Sequence, residues 1–349
     1  MSGRPAFPGR SDWRPWAWRM SGRNERRWRS RSATSSRPEN GPRSGDVTSV
    51  ETVSASGQQG VEEAAVGRAV LLRPITDDDL DTVARFLHAH HDSKVPVESF
   101  RRSFAAHHSA TRPNNGVMLF DGDEVVGVYL AYYSDRVVDG QVQRICNLGT
   151  WYVRPEHRRH SMRLAKAILT QKGFHFLDLS PTDTVAALNK RLGFEYLDDR
   201  AAVLPALPWP WRPQAISSDP LVIQQSLSAE ELQLYTDHRD APAARHVVLR
   251  DGDAVCYVVL RIVRRKNLPI AMVVHASHPE TLRRMIRPFG GFALLRHRVV
   301  AVVVEFRWLN GKIPGGSIKR RLHPKMFRSP TLGPEDLDYF YSELLYLSW

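Results

Sequence analysis

The feature that most restricts how this chain can fold is a β-hairpin written twice. Val117-Met118-Leu119-Phe120-Asp121-Gly122-Asp123 and Val247-Val248-Leu249-Arg250-Asp251-Gly252-Asp253 share an apolar run and an Asp-Gly turn, each position 130 residues from its counterpart. Asp-Gly supplies the positive φ that a tight hairpin turn demands, so each copy predicts two antiparallel strands. The surroundings recur as well. Before the first copy, Leu71-Leu72-Arg73-Pro74 reads as a strand. Thr76, with Asp79 three residues on, caps a helix that turns Leu80, Val83, Phe86 and Leu87 to one side. After it, residues 143–153 and 174–179 read as strands. Between them lies a helix with Met162, Ala165, Ile168 and Leu169 on one face. Val185, Leu188 and Leu192 mark another helix, Gly193 stops it, and residues 194–197 close the set.

The second set opens with residues 221–224 as a strand and Ser228-Ala229-Glu230-Glu231 as a helix cap. Residues 270–274 and 299–306 read as strands. Ser277-His278-Pro279-Glu280 opens a helix carrying Leu282, Met285, Ile286 and Phe289. Pro334 starts a last helix with Leu337, Phe340, Tyr341 and Leu344 on one side. Ser180-Pro181-Thr182 returns as Ser329-Pro330-Thr331. The chain reads as an internal duplication of mixed α/β type, with halves at residues 69–200 and 221–349. Residues 201–220 hold Pro205, Pro208, Pro210, Pro213 and Pro220, a density that blocks helix and sheet interiors and predicts a linker. Trp209 and Trp211 within it are expected to pack on a neighbouring surface.

The formal net charge of +12 is unevenly placed. Residues 1–45 hold eleven arginines against Asp12, Glu25 and Glu39, which is +8 and leaves +4 for the rest. Residues 1–68 show no sustained period, and Trp13, Trp16, Trp18 and Trp28 are among their few large apolar residues. Such a segment cannot bury enough surface to offset chain entropy and reads as a disordered basic tail. Arginine between tryptophans would suit phosphate neutralisation and base stacking, and an organelle transit peptide has a similar composition. An untethered tail is the preferred reading, and nucleic acid is not the expected partner. The apolar run at residues 299–304 is short against the ~20 residues of a membrane span. Cys146 and Cys256 stand far apart in apolar stretches, which excludes a disulfide framework and a cysteine zinc site. A soluble cytoplasmic protein is expected.

Trp151-Tyr152-Val153-Arg154-Pro155-Glu156-His157-Arg158 and Asn189-Lys190-Arg191-Leu192-Gly193-Phe194 sit in the order strand, helix, hairpin, strand, loop-helix, strand, helix. That layout and those motifs resemble the GNAT superfamily of acyl-CoA-dependent N-acyltransferases over residues 70–198. The second half resembles it by element order alone and has no recognisable cofactor loop. The resemblance implies tandem GNAT-like halves, acetyl-CoA or another acyl-CoA as co-substrate, and acyl transfer to an amine of a small molecule or sugar. Coenzyme A would then lie along Trp151, Tyr152 and Val153, with its diphosphate at Arg158, Arg159, His160, Ser161, Met162 and Arg163. A strand that turns into a helix aims main-chain N–H groups and the helix dipole at one spot, which favours an anion.

The chain departs from the family pattern in ways that bear on chemistry. The family loop runs Arg/Gln-x-x-Gly-x-Gly/Ala, and Ser161 and Arg163 occupy its glycine positions. Glycine lets a diphosphate approach the backbone, so Arg158, Arg159 and Arg163 would have to compensate by charge pairing. The last-helix tyrosine, which in the family commonly protonates the leaving thiolate, aligns with Asn189, a hydrogen-bond donor but no acid near neutral pH. The asparagine that begins that helix aligns with Asp183. Asn189 and Asp183 are therefore weak catalytic candidates, and no carboxylate lies between Arg144 and Val153. The alternative function is a catalytically degenerate acyl-CoA-binding regulatory or scaffold protein.

Other clusters carry less. His88 and His91 lie one turn apart near His90, and His107-His108 follow, but nothing completes a ligand spacing, so no metal is expected. Lys312, Lys319, Arg320, Arg321, Lys325 and Arg328 form a run without an acid, a basic surface loop or a grip on an anionic acceptor. Gly315-Gly316-Ser317 lacks the lysine of a phosphate loop.

Overall fold

The structure, a computed structural model, describes residues 69–109, 111–312 and 314–347, so the basic tail lies outside the described residues. The first half runs β1 (Leu71–Pro74), α1 (Leu80–His90), α2 (Val97–Ser103), β2 (Gly116–Asp121), β3 (Glu124–Val138), β4 (Gln141–Val153), α3 (Ser161–Leu169), β5 (His175–Asp178), α4 (Asp183–Arg191) and β6 (Glu195–Tyr196). β7 (Arg200–Pro205), β8 (Ile216–Ser217), α5 (Pro220–Ser226), α6 (Ala229–His238), β9 (Arg245–Asp251), β10 (Ala254–Arg265) and β11 (Leu268–Ala276) follow. The chain continues through α7 (Pro279–His297), β12 (Ala301–Glu305), β13 (Ile318–Arg321) and β14 (Met326–Arg328). None of the described helices is long and apolar enough to cross a membrane.

The duplicated hairpins are β2–β3 and β9–β10. Gly122 and Gly252 close them with φ of 61° and 64°, the left-handed conformation that the Asp-Gly turn required. Two seven-stranded sheets result, ordered β1-β2-β3-β4-β5-β14-β6 and β13-β7-β12-β11-β10-β9-β8. Their symmetry extends to a strand from elsewhere in the chain. β14, from the second half, pairs antiparallel with β5 and β6, while β7, which runs from Arg200 into the proline-rich stretch, pairs antiparallel with β12 and β13. The first sheet thus takes a strand from the second half, and the second sheet takes one from the segment that joins the halves.

The duplication extends to a defect in the ladder. Tyr129 faces Trp151 and Ala131 faces Leu148, so Gly149 and Thr150 of β4 oppose the single Leu130. In the second sheet Val259 faces His275 and Leu260 faces Val273, which leaves Val274 of β11 as the extra residue. Both are β-bulges, and they fall at matching places in the repeat. A bulge bends its strand and frees it from one partner.

Three sequence readings differ from the structure. Residues 221–224 belong to helix α5, not to a strand: Pro220 opens it and the Asp219 carboxylate accepts from Leu221 N and Val222 N. The proline-rich stretch is strand in part, because Pro205 ends β7, where its missing N–H costs no ladder bond. Beyond Pro334 the described residues form no α-helix. Residues 337–347 are all buried, so no amphipathic face exists to favour one. Other elements satisfy their backbone groups instead. Asn147 Nδ2 donates to the Phe340 and Tyr341 carbonyls, Tyr341 N donates to His238 Nε2, and Ala243 N donates to Leu345 O. Tyr341 itself takes φ 56°. This C-terminal segment packs in one core with Phe100 and Tyr132 of the first half and Tyr235 and Tyr257 of the second.

The tryptophans of the proline-rich stretch do pack on a surface, that of α7. The Trp211 ring meets Phe292 edge-on at 6.1 Å. A Cβ on Gly291 would stand 2.8 Å from Trp209 O and 2.9 Å from Trp209 N, both backbone atoms that cannot swing aside. Gly291→Ala is expected to destabilise the protein by ~1–3 kcal/mol, the usual penalty of overpacking, read as a lower urea midpoint.

Candidate active site

β4 is the strand on which the candidate site is built. β5 accompanies it in parallel only from Ile145 opposite His175 to Leu148 opposite Asp178, and there β5 ends. From Trp151 to Val153, β4 therefore has no strand partner on that side among the described residues, a free edge. Arg154 N donates to Val126 O on β3 at 2.9 Å, so the alternation of an antiparallel ladder turns the N–H groups of Val153 and Trp151 away from β3, towards that open side. Side chains of this stretch serve packing. The Trp151 ring stacks on Tyr129 at 4.5 Å, Tyr152 lies 5.9 Å from Phe86 and 5.5 Å from His91, and Val153 is buried. What is left for a ligand is their backbone and the Trp151 Nε1–H, which is buried without a partner among the described residues.

At the outer end of the free edge, residues 155–160 form 3-10 turns that run straight into α3. His157 N donates to Arg154 O and Ser161 N to Arg158 O, so part of the expected main-chain donor set is spent internally. The side chains then matter more. Arg158 and Arg159 are exposed. Arg159 Nε donates to His160 Nε2 at 3.1 Å. The Arg158 guanidinium makes no hydrogen bond or ion pair with another described residue. Arg163 is tied to Val70 O at 2.7 Å, Ser161 is half-buried, and Met162 is exposed.

At the inner end of the edge stand two carboxylates that no sequence motif announced. Glu343, from the C-terminal segment, is 5 % exposed, and its Oε2 accepts from Thr150 N and Thr150 Oγ1, each at 2.9 Å. Burial pushes its carboxyl up to about 7, and the charge of Asp178 pushes the same way. Asp178, the last residue of β5, is 6 % exposed and is raised to about 6 by burial. Its Oδ2 accepts from Asn189 Nδ2 at 2.8 Å. Asn189, on α4, is thus brought to the site as a buried partner of Asp178. Asp183 is exposed at the first turn of that helix, following the Thr182 cap.

The remaining clusters serve the fold. Lys325 is buried 3.1 Å from Glu305, and Arg328 donates to the Leu192 and Leu169 carbonyls, so two members of the basic run hold elements together. His88 Nδ1 bonds Val95 O at 2.8 Å. His107 Nδ1 accepts from Tyr133 N, and burial holds that imidazole down to about 3. His108 lies 3.7 Å from Asp237. Among the described residues no group of three or more His, Cys, Asp or Glu is placed to hold a metal ion.

No protein-family model matches the sequence, and neither does any curated protein. Solved structures do match. A conserved protein of unknown function from Enterococcus faecalis V583, described as a probable N-acyltransferase, aligns with a TM-score of 0.50 at 11 % identity, over 74 % of this chain and 72 % of its own. GCN5-related N-acetyltransferases from Kribbella flavida (0.48, 18 % identity, 76 % of this chain and 72 % of theirs) and Anabaena variabilis (0.48, 13 %, 74 % and 72 %) also align. With the bulged β4, the sheet order and the Enterococcus faecalis structure together, the chain carries a GNAT-type fold laid out as two halves.

Proposed function

We propose that the protein is an acyl-CoA-dependent acyltransferase acting on an amine of a small molecule or sugar, with the donor held by residues 69–200. The observation that carries this reading is the free β4 edge, with exposed arginines at one end and two buried carboxylates at the other. The Trp151 and Val153 N–H groups would pair with the amide arm of the donor and with its thioester oxygen as charge builds there. Arg158 and Arg159 would take the diphosphate. Glu343 has both hydrogen bonds on Oε2, which leaves Oε1 to receive a proton. It takes the proton that the attacking amine loses as the C–N bond forms, and returns it to sulfur as the C–S bond breaks. The carboxylate is restored and no other reactant is needed.

Calorimetric titration of the full chain with acetyl-CoA tests the reading. Saturable binding at micromolar to low millimolar concentration is expected, and no heat of binding at millimolar ligand overturns it. The degenerate reading has its own support, because Ser161 N and the Arg163 guanidinium are already engaged. Thiol release from acetyl-CoA across a panel of amine acceptors separates the two.

A further inference from the structure

The proline-rich stretch and the last turns of α7 present apolar side chains that no core covers. Trp209 crosses α7 with its backbone against Gly291, yet the residue is 40 % exposed, and Leu207, two positions before it, is 61 % exposed. Leu295 stands one helical turn beyond Gly291, beside that crossing, and is 67 % exposed. Ala206 N donates to Val300 O at 2.9 Å, which brings the exposed Val300 to the other end of the same strip. Single exposed apolar residues need no explanation, whereas a contiguous group marks a contact surface.

The charge around the strip has one sign. Arg287, one turn before Gly291, holds its guanidinium 5.1 Å from the centre of the Trp209 ring. Arg296 and Arg298 are exposed where α7 ends. No acid occurs between Asp199 and Asp219 or between Glu280 and Glu305. The carboxylates near the first turn of α7 are engaged there, Glu280 by Arg283 and Asp251 by Arg284. Leu207 and Leu295 are too exposed to line a groove, which argues against a helical peptide laid between ridges. Protruding apolar groups with a half-exposed tryptophan and a cationic border fit the headgroup region of a bilayer. Apolar side chains enter the acyl boundary there, and guanidinium groups reach the phosphates.

We infer that this face docks the protein reversibly on anionic lipid surfaces. Leu207, Trp209 and Leu295 enter the interface, and Arg287, Arg296 and Arg298 pair with lipid phosphate. The inference is independent of the acyltransferase reading and stands or falls without it.

Co-sedimentation of the full chain with lipid vesicles is the test. Vesicles of phosphatidylcholine with about 30 % phosphatidylserine should retain the protein at least tenfold better than phosphatidylcholine alone, since each arginine near an anionic surface adds attraction. The eleven arginines of residues 1–45 feel the same potential, so the strip is read through variants that leave them intact. Leu207→Ser with Leu295→Ser, its melting temperature checked, should weaken retention by the anionic vesicles about tenfold or more through the apolar area lost from the interface. Arg287→Glu with Arg296→Glu should do the same, and it decides alone if the first pair does not fold. Unchanged retention in either folded variant overturns the inference and assigns binding to residues 1–45. Equal retention by neutral vesicles, or none by either kind, overturns it too. Self-association without vesicles that the serine variant abolishes makes a second copy of the chain the occupant and overturns it as well.

Discussion

Replacing Arg158 and Arg159 together by glutamate should weaken acetyl-CoA binding by about 10²–10⁴-fold and abolish turnover at micromolar donor. A hydrogen bond to a charged group contributes ~1.5–3 kcal/mol, so losing two accounts for ~3–6 kcal/mol, with tenfold for each 1.4 kcal/mol. Two carboxylates in their place add repulsion towards a diphosphate. The usual main-chain donors cannot make good the loss, because the 3-10 turns before α3 use part of them. Both side chains are exposed and neither supports the fold, so the melting temperature should hold within a degree or two. That combination separates a ligand contact from a structural one. Salt should weaken wild-type binding and have far less effect on the variant. Binding that survives the double reversal would place the diphosphate elsewhere and remove the loop from the site.

Which parts of this were legible in the sequence follows from how far each signal reaches along the chain. The hairpins, the Ser228 cap and the periodic faces of α1 and α3 are local, and local chemistry decides them: Asp121-Gly122 folds as it must. The same holds for the two motifs around Val153 and Gly193, which place a β4 exit and a last helix. The sheet membership of β7 and β14 is different, since no local pattern says which sheet a short strand will join. Leu221, Val222 and Ile223 are three apolar residues in a row, which fit strand and helix alike, and the cap at Asp219 tips the balance. The C-terminal segment misled for a stronger reason. Leu337, Phe340, Tyr341 and Leu344 have helical spacing, but their neighbours are buried too, and the bonds from Asn147, His238 and Ala243 come from distant parts of the chain. Glu343 was invisible for that reason. Its role depends on meeting Thr150, 193 positions earlier, and a lone glutamate beside a leucine looks like surface.

Glu343→Gln should lower turnover by about 10²–10⁴-fold, the span usual for removing a positioned proton acceptor, while leaving acetyl-CoA affinity within a few-fold. The amide oxygen can still accept from Thr150 N and Oγ1 and the volume hardly changes, so only the capacity to take a proton is lost. The sign of the pH dependence follows from the raised carboxyl. Glu343 must be ionised to act as a base, so kcat/KM of the wild type should climb with pH through about 7 and level off above it. Because Asp178, at about 6, shares its field, the limb belongs to the pair of carboxyls. In the variant that limb should vanish. Stability should move the opposite way. A carboxyl raised by burial stabilises the fold fully below its unfolded pKa, near 4.5, and that contribution is lost as pH rises through about 7. Glutamine never ionises, so at pH 8 the variant should be the more stable protein, by up to ~3 kcal/mol. A residue that merely braced β4 would lose activity and stability together. Loss of turnover with a gain in stability is the outcome peculiar to a buried base, and a variant that keeps both its rate and its pH profile takes Glu343 out of the chemistry.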